Sequence, residues 1–481
     1  MIAAQHDAGK LTARARIDLL LDPGSFVESA RYVTHRCTDF GLAAHRPPGD
    51  GVITGYGTID GRTVCVFAQD PTVLGGSLGA AHAAKICALF DLARKVGAPV
   101  VGLHDSEGLR LEEGLGGLAG QAAVLVGHTL ARGVVPQVSA ILGPCVGGAA
   151  LAPGLADFVF MVSATSHLYV TGPEVVRAVT DEAVTDDELG GPEVHAAGSG
   201  VAHFTAPDDR TCLADIRRLL SFLPSHGGED PPRGPRVPGS TGEVVALDGV
   251  APARGGGGYS MQGLVALVVD DGDLFEVGPD FAPNLRCAFA RVDGRPVGVV
   301  ANEPGVLAGC LDRAACDKAA RFVGFCDRFR IPVVTFVDTP GFLPGTDQEH
   351  GGIVRDGARL LRAFAEATVP RVTVIVRRAY GAAWAVMASK PLGADLTLAW
   401  PGAEIGAMGP EGAVAILHGR EIAASSDPAG ARAALAEQYR AQHTSPQRAA
   451  ELGMVDDVIA PRETRRRVAG ALALLQGRRV G

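Results

Sequence analysis

Apolar runs of strand length alternate with helically spaced stretches along the whole chain. Val64–Ala68, Pro99–His104 and Gln137–Leu142 each read as buried strands. Between the first two, residues 80–96 place Ile86, Leu89, Phe90 and Ala93 at helical intervals, and Gly97 supplies a stop. Gly57-Thr58-Ile59-Asp60-Gly61-Arg62 predicts a hairpin, and residues 290–295 predict its counterpart. This alternation predicts an α/β fold with crossover connections.

The pattern occurs twice. Leu20-Leu21-Asp22 with Gly24 and Glu28 returns as Val268-Val269-Asp270 with Gly272 and Glu276. Asp60-Gly61-Arg62 returns as Asp293-Gly294-Arg295. Pro99-Val100-Val101, Asp105 and Gly108 return as Pro332-Val333-Val334, Asp338 and Gly341. Val135-Pro136, Gly147-Gly148-Ala149, Ala156-Asp157 and Gly172-Pro173-Glu174 return as Val369-Pro370, Gly381-Ala382-Ala383, Ala394-Asp395 and Gly409-Pro410-Glu411. Seven ordered echoes at offsets between 233 and 248 define a duplication. Residues 223–240 are rich in Pro and Gly without apolar periodicity, so they read as the linker between domains 1–225 and 240–481. Gly255–Gly258 reads as a further linker element.

Composition narrows the function. The 481 residues include 64 glycines, about 13% against roughly 7% expected, with no collagen-like period. Aromatics at 5% and a net charge of −9 argue against a nucleic-acid partner. Only five of the 44 basic residues are Lys, an Arg bias that reads as composition. Nine scattered cysteines without CxxC spacing argue against disulfides or structural zinc, and point to a reducing cytoplasm. The N-terminus has no apolar core of signal-peptide length. The most apolar stretch, 133–162, is broken by Pro136, Pro144, Pro153 and Asp157, so it reads as buried strand and helix and not as a membrane span. The thirteen histidines have no metal spacing, and neither a phosphate loop nor a nicotinamide signature is found.

Three features carry candidate chemistry. Gly147-Gly148 ends an apolar run and precedes a helical stretch. Such a junction directs backbone N–H groups into a cavity, and a helix N-terminus adds positive potential, which together stabilise an oxyanion. Close strand–helix packing would call for the same glycines. Gly381-Ala382-Ala383 repeats the feature, which implies two oxyanions or two ends of one reaction. Gly75-Gly76-Ser77-Leu78-Gly79 matches G-x-S-x-G, but Asp70-Pro71-Thr72 intervenes after the strand. A glycine-rich turn approaching a ligand therefore fits better than a Ser77 nucleophile. Asp105 and Asp338 fall at equivalent strand ends, where α/β folds place ligands, or else they cap the following turns. Glu112 and Glu113 read as a solvated helix face.

At these residues the chain resembles the carboxyltransferase (beta) subunits of biotin-dependent acyl-CoA carboxylases of the propionyl-CoA or acetyl-CoA type. The resemblance rests on GKLTARARIDLLLDPGSFVE (9–28), GGSLGAAHAAKI (75–86), GPCVGGAALAP (143–153), DTPGFLPGTDQEHGGIVRDGARLL (338–361) and AWPGAEIGAMGPEGAV (399–414), among other ordered stretches. It implies tandem crotonase-like (ClpP-like) β/α spiral domains, assembled as a homo-hexamer with active sites between subunits. The first domain would bind acyl-CoA, with Gly147 and Gly148 on the thioester enolate oxygen and Gly75, Gly76, Ser77 and Gly108 on the substrate. The second would take carboxybiotin at Gly381, Ala382 and Ala383, flanked by Trp384, Ala385, Gly341 and Phe342. The cofactor would then carry the chemistry without a side-chain base. No biotin-attachment motif or ATP-grasp signature occurs, so a biotin carboxylase/biotin carrier (alpha) subunit would be the partner.

The chain departs from the family at two motifs. Tyr380-Gly381-Ala382-Ala383-Trp384-Ala385-Val386-Met387 stands where the family reads YGGAYDVM, and Asp105-Ser106-Glu107-Gly108-Leu109-Arg110 where it reads DSGGAR. The altered 382–385 segment keeps open a biotin-independent decarboxylase of a malonyl-type thioester or β-keto acid. A non-catalytic scaffold subunit is the third reading.

Overall fold

The computed structural model describes residues 2–236, 241–252 and 258–477. It divides into two compact units, Met1–Pro231 and Pro232–Gly481. The linker expected over 223–240 extends at 237–240 outside the described residues, as does Gly255–Gly257 of the second linker element.

Unit 1 holds β1 (Val27–Ser29), β2 (Val52–Ile59), β3 (Arg62–Gln69), β4 (Val100–Ser106), β5 (Gln137–Val146), β6 (Phe158–Val162), β7 (His167–Tyr169) and β8 (Phe204–Ala206). Unit 2 holds β9 (Phe275–Glu276), β10 (Leu285–Val292), β11 (Arg295–Asn302), β12 (Val333–Thr339), β13 (Arg371–Tyr380), β14 (Leu396–Ala399), β15 (Glu404–Gly406) and β16 (Asp457–Val458). The sheet orders are β1-β2-β3-β4-β5-β6-β8, with β7 on β5, and β9-β10-β11-β12-β13-β14-β16, with β15 on β13. The first three strands of each sheet pair antiparallel with one another, and every pairing from the third strand onward is parallel. The duplication is thus matched strand for strand, and the fold is a tandem crotonase-like α/β architecture.

The repeated sequence motifs have structural causes. Asp60 and Gly61, and Asp293 and Gly294, all take positive φ. This is the twist that a two-residue hairpin between right-twisted strands requires. Asp22 accepts the N–H groups of Asp60 and Gly61, and Asp270 accepts those of Asp293 and Gly294. Arg217 pairs with Asp22 and Arg465 with Asp270. Lysine also repeats: Lys85 donates to the Gly49 and Val52 carbonyls, and Lys318 to those of Phe281 and Leu285. Two of the five lysines that composition alone leaves unremarked are therefore buried anchors of the helix against the sheet. Burial moves Lys85 down to about 8.

The helix Ala80–Val96 buries Ile86, Leu89, Phe90 and Ala93 against β3 and its neighbours, and stops where Gly97 turns left-handed. The 133–162 stretch forms β5, a short helix and β6. Among the described residues no helix is long and apolar enough to cross a membrane. All nine cysteines are free.

Three histidines are sealed into unit 1. Burial holds His82 and His104 near 3 and His128 near 4, with the Arg110 charge adding to the shift of His82. All three stay neutral when folded but protonate near 6.5 when unfolded. The unfolded chain therefore binds more protons between those values, and stability is lost as pH falls below about 6.5. Each histidine contributes up to about 1.4 kcal/mol per pH unit in that window. Asp50, raised by burial, opposes them with a single carboxyl. Urea unfolding of the protein should show its midpoint dropping between pH 7 and pH 4. His128→Gln, which keeps a neutral amide there, should flatten that fall, and an unchanged slope would contradict this assignment.

Candidate active site

Each half of the molecule builds its glycine turn in the same way. Val138–Ile141 of β5 pair with β6, but Pro144–Val146 pair with β7. Likewise Val372–Ile375 of β13 pair with β14, while Arg378–Tyr380 pair with β15. A register shift on the preceding strand accompanies both bends, between His104 and Ser106 and between Val337 and Thr339. The long central strand thus changes its neighbour at its C-terminal end, and the glycine turn follows directly.

In unit 1 that turn is Gly147–Ala150, a single 3-10 turn followed by the five-residue helix Leu151–Leu155. The expected helical stretch is therefore too short for a sizeable macrodipole. The amides without an acceptor inside this turn are those at its start, Gly147 and Gly148. Gly147 has φ +70°, open to glycine at low cost. Gly148 has a different reason to be glycine, because a Cβ there would run into the Gln121 side-chain amide. Close packing is therefore present at Gly148, as the alternative reading of this segment required. Both turn glycines keep partial exposure, whereas Ala149 and Ala150 are buried and anchor the turn.

In unit 2 the turn opens the helix Gly381–Val386. Gly381 has φ +58°, and a Cβ there would lie 3.2 Å from the Ala407 carbonyl oxygen. Ala382 is exposed, so its methyl projects outward, whereas Ala383 is fully buried and locks the helix to the core. Trp384 and Ala385 are half-buried. The Trp384 indole N–H is shielded without a hydrogen-bond partner, whereas Trp400 donates to Thr464. Tyr380, at the strand end, donates to Glu404, and Arg440 clamps Glu404, Glu411 and Glu437. Burial and the Glu404 carboxylate keep the Tyr380 phenol protonated by raising it above its usual range. These residues lie too far apart in sequence for spacing to connect them.

The remaining candidates in unit 1 form one cluster. Gly75 carbonyl accepts from Glu107 N–H at 3.1 Å, and Gly108 carbonyl accepts from Leu78 N–H at 2.8 Å. A Cβ on Gly76 would lie 2.5 Å from the Asp105 carbonyl, and one on Gly108 2.9 Å from the Val146 carbonyl. The glycines therefore let the 74–79 turn, the 105–110 turn and the end of β5 touch. Ser77 Oγ donates to Leu74 carbonyl at 2.6 Å and accepts from Arg110 Nε at 3.1 Å, so it is a turn anchor. The equivalent bridge in unit 2 joins Leu311 to Phe342, with Gly341 carbonyl accepting from Leu311 N–H. Phe342 packs its ring on Gly357 of the helix Ile353–Glu366. That helix runs beside Gly381–Val386.

The acidic candidates read differently in three dimensions. Asp105 neither caps a turn nor stands free: it pairs with Lys10 and Arg16 at 2.8 Å each and is 1% exposed. Asp338 is held by Arg377, Arg378 and the Tyr259 hydroxyl. Both serve as buried ion-pair hubs at the root of the site. Glu112 is exposed, but Glu113 is not part of a solvated face. It pairs with Arg110 and accepts from Ala80 N–H, the first amide of the helix Ala80–Val96. Arg110, which also holds Asp50, is the residue that ties both turns together, and nothing in its spacing announced that role. Among the described residues no group of three or more His, Cys, Asp or Glu is placed to hold a metal ion.

Comparison with known proteins adds relatives along the whole chain. Residues 4–480 match the carboxyl transferase domain. The propionyl-CoA carboxylase carboxyltransferase subunit of Haloferax mediterranei is 53% identical over 99% of this chain and 93% of its own length. The methylmalonyl-CoA decarboxylase subunit alpha of Propionigenium modestum is 48% identical over 99% of this chain and 92% of its own. Among solved structures, the transcarboxylase 12S hexamer with methylmalonyl-coenzyme A and methylmalonic acid bound superposes with a TM-score of 0.97. It is 46% identical and covers 100% of this chain and 92% of its own.

Proposed function

This chain belongs to the carboxyl transferase family, and from that premise we propose that it is the carboxyltransferase subunit of a biotin-dependent acyl-CoA carboxylase. Its substrate is a short acyl-CoA of the propionyl or acetyl kind, and it works as a homo-hexamer with a biotin carboxylase/biotin carrier partner. The observation that carries this reading is the pair of matched glycine turns at the ends of β5 and β13, in a chain that follows the transcarboxylase 12S fold from end to end.

In unit 1 the N–H groups of Gly147 and Gly148 receive the thioester oxygen as it gains charge, and Gly75, Gly76, Ser77 and Gly108 line the approach of the thioester. Donors fixed before reaction stabilise the enolate without reorganising. In unit 2 the residues present fit an acceptor such as the biotin ureido oxygen. Gly381 gives the turn its left-handed start, exposed Ala382 leaves its N–H reachable, and buried Ala383 fixes both. Trp384, Ala385, Gly341 and Phe342 flank that position. When bound, the biotin group would supply activated CO2 and a nitrogen able to accept the acyl α-proton. The chain's own work is orientation and charge stabilisation. Accordingly, the strongly perturbed histidines are neutral packing groups, and the acids at the site's root are engaged in ion pairs.

A second reading, decarboxylation of a malonyl-type thioester, has a specific observation in its favour, the 48% identity to a methylmalonyl-CoA decarboxylase subunit, whose name leaves the use of biotin open. The test is CO2 release from malonyl-CoA and methylmalonyl-CoA by the purified protein, with and without free biotin or a biotinylated carrier. Biotin-dependent release is expected. Equal release without biotin would replace the proposal with a biotin-independent decarboxylase, and no release under either condition would contradict both enzymatic readings.

A further inference from the structure

Glu107 stands where the acyl-CoA reading places substrate, yet that reading gives it nothing to do. It follows Asp105 and Ser106 off the end of β4 and is exposed, whereas its neighbours Ser106 and Gly108 are buried. The turn holds it tightly. Its N–H donates to Gly75 carbonyl at 3.1 Å, and Ser106 Oγ accepts from Gly108 N–H at 3.1 Å. Its side chain lies flat over the glycine loop, so that a Cβ on Gly75 would come 2.5 Å from a carboxylate oxygen. The next residue, Gly108, packs on the carbonyl of Val146, immediately before the Gly147-Gly148 turn. Among the described residues the Glu107 carboxylate has no hydrogen-bond or ion-pair partner, unlike Glu113 six residues on. One negative charge thus lies over the Gly75 loop, on the residue before the glycine that packs against Val146.

We propose that Glu107 is a charge-selecting residue of the acyl site. It disfavours thioesters that carry a carboxylate on the acyl group relative to their uncarboxylated counterparts. The inference rests on the acyl-CoA reading of unit 1. Carboxylation adds one negative charge at the carbon next to the thioester, and Glu107 repels that charge. Rejection by a repulsive element is one route to specificity. In this chain it weakens the hold on the carboxylated product and leaves the uncarboxylated substrate untouched.

The experiment compares the wild-type protein, Glu107→Gln and Glu107→Asp for binding of propionyl-CoA, methylmalonyl-CoA and free CoA by titration calorimetry. Glutamine keeps the shape and removes the charge, and aspartate keeps the charge. Glu107→Gln should tighten methylmalonyl-CoA relative to propionyl-CoA roughly fivefold at low ionic strength, which is about 1 kcal/mol. The gain should shrink as salt rises, because the group is exposed. Glu107→Asp should stay near wild type, and free CoA should not distinguish the three proteins. Thioester binding by all three with an unchanged ratio would overturn this proposal and leave the acyl-CoA reading standing. Failure of every protein to bind any CoA thioester would overturn that reading and this proposal with it.

Discussion

Replacing Gly148 with alanine should lower carboxyl transfer by up to about 10²–10³-fold, the usual cost of an oxyanion donor put out of place, because alanine keeps the N–H and acts only by displacing it. The new Cβ has no room, because it would occupy the position of the Gln121 side-chain amide. Either Gln121 moves or the 3-10 turn shifts, and a shift of the turn re-aims both N–H groups. The second glycine confirms the direction: Gly147 adopts φ +70°, so alanine there is strained whatever the space around it. Steady-state kinetics on a short acyl-CoA with a biotinylated carrier measures the effect. The double variant Gly148→Ala with Gln121→Ala separates the two causes. Restored turnover in the double variant means that Gln121 had pushed the turn out of place. Continued loss means that the methyl itself obstructs the hole. Near-normal turnover by well-folded Gly148→Ala and Gly148→Leu proteins alike would contradict the assignment of this turn as an oxyanion site, since a leucine side chain cannot leave the hole open.

The second large effect is on stability. Arg16→Met should destabilise the folded protein by about 3–5 kcal/mol, the range for breaking a buried ion pair from one side. Arg16 is fully buried, donates to Asp105 at 2.8 Å and Asp209 at 2.7 Å, and reaches the Leu142 carbonyl with its third nitrogen. Removing it strands two carboxylates that are 1% and 3% exposed. Lys10 still compensates Asp105, so Asp209 carries most of the penalty. Urea unfolding followed by circular dichroism reports the loss as a lower midpoint. Adding Asp209→Asn to Arg16→Met should recover part of it, since the stranded charge is gone. A single variant within about 0.5 kcal/mol of wild type, the size of an ordinary surface change, would contradict this account.

Arg16 also explains why the site could be read only partly from the sequence. It lies in the stretch GKLTARARIDLLLDPGSFVE, where the family resemblance is visible but the reason for the arginine is not. Its partners are 89 and 193 residues away. Asp105 read as a ligand or a cap because only its strand-end position was visible. Glu113 read as solvated because its partner Arg110 and the amide of Ala80 meet it through folding alone.

The repeats, the strand-helix alternation, the hairpins and the glycine turns are all legible in the order of residues. Each depends on local physics: alternation follows burial on both faces of a parallel sheet, and Asp-Gly supplies the positive φ of a two-residue turn. Which polar groups face one another depends on folding in three dimensions. Folding set Gln121 over Gly148, Arg110 between Asp50, Ser77 and Glu113, and Glu107 across Gly75. Those contacts join residues from separate elements, and a buried charge is stabilised by whatever partner the fold brings within hydrogen-bond distance. Asp105 and Asp338 show this directly. They occupy the same place in the repeat, yet one is neutralised from the N-terminal segment and the other by the strand beside it.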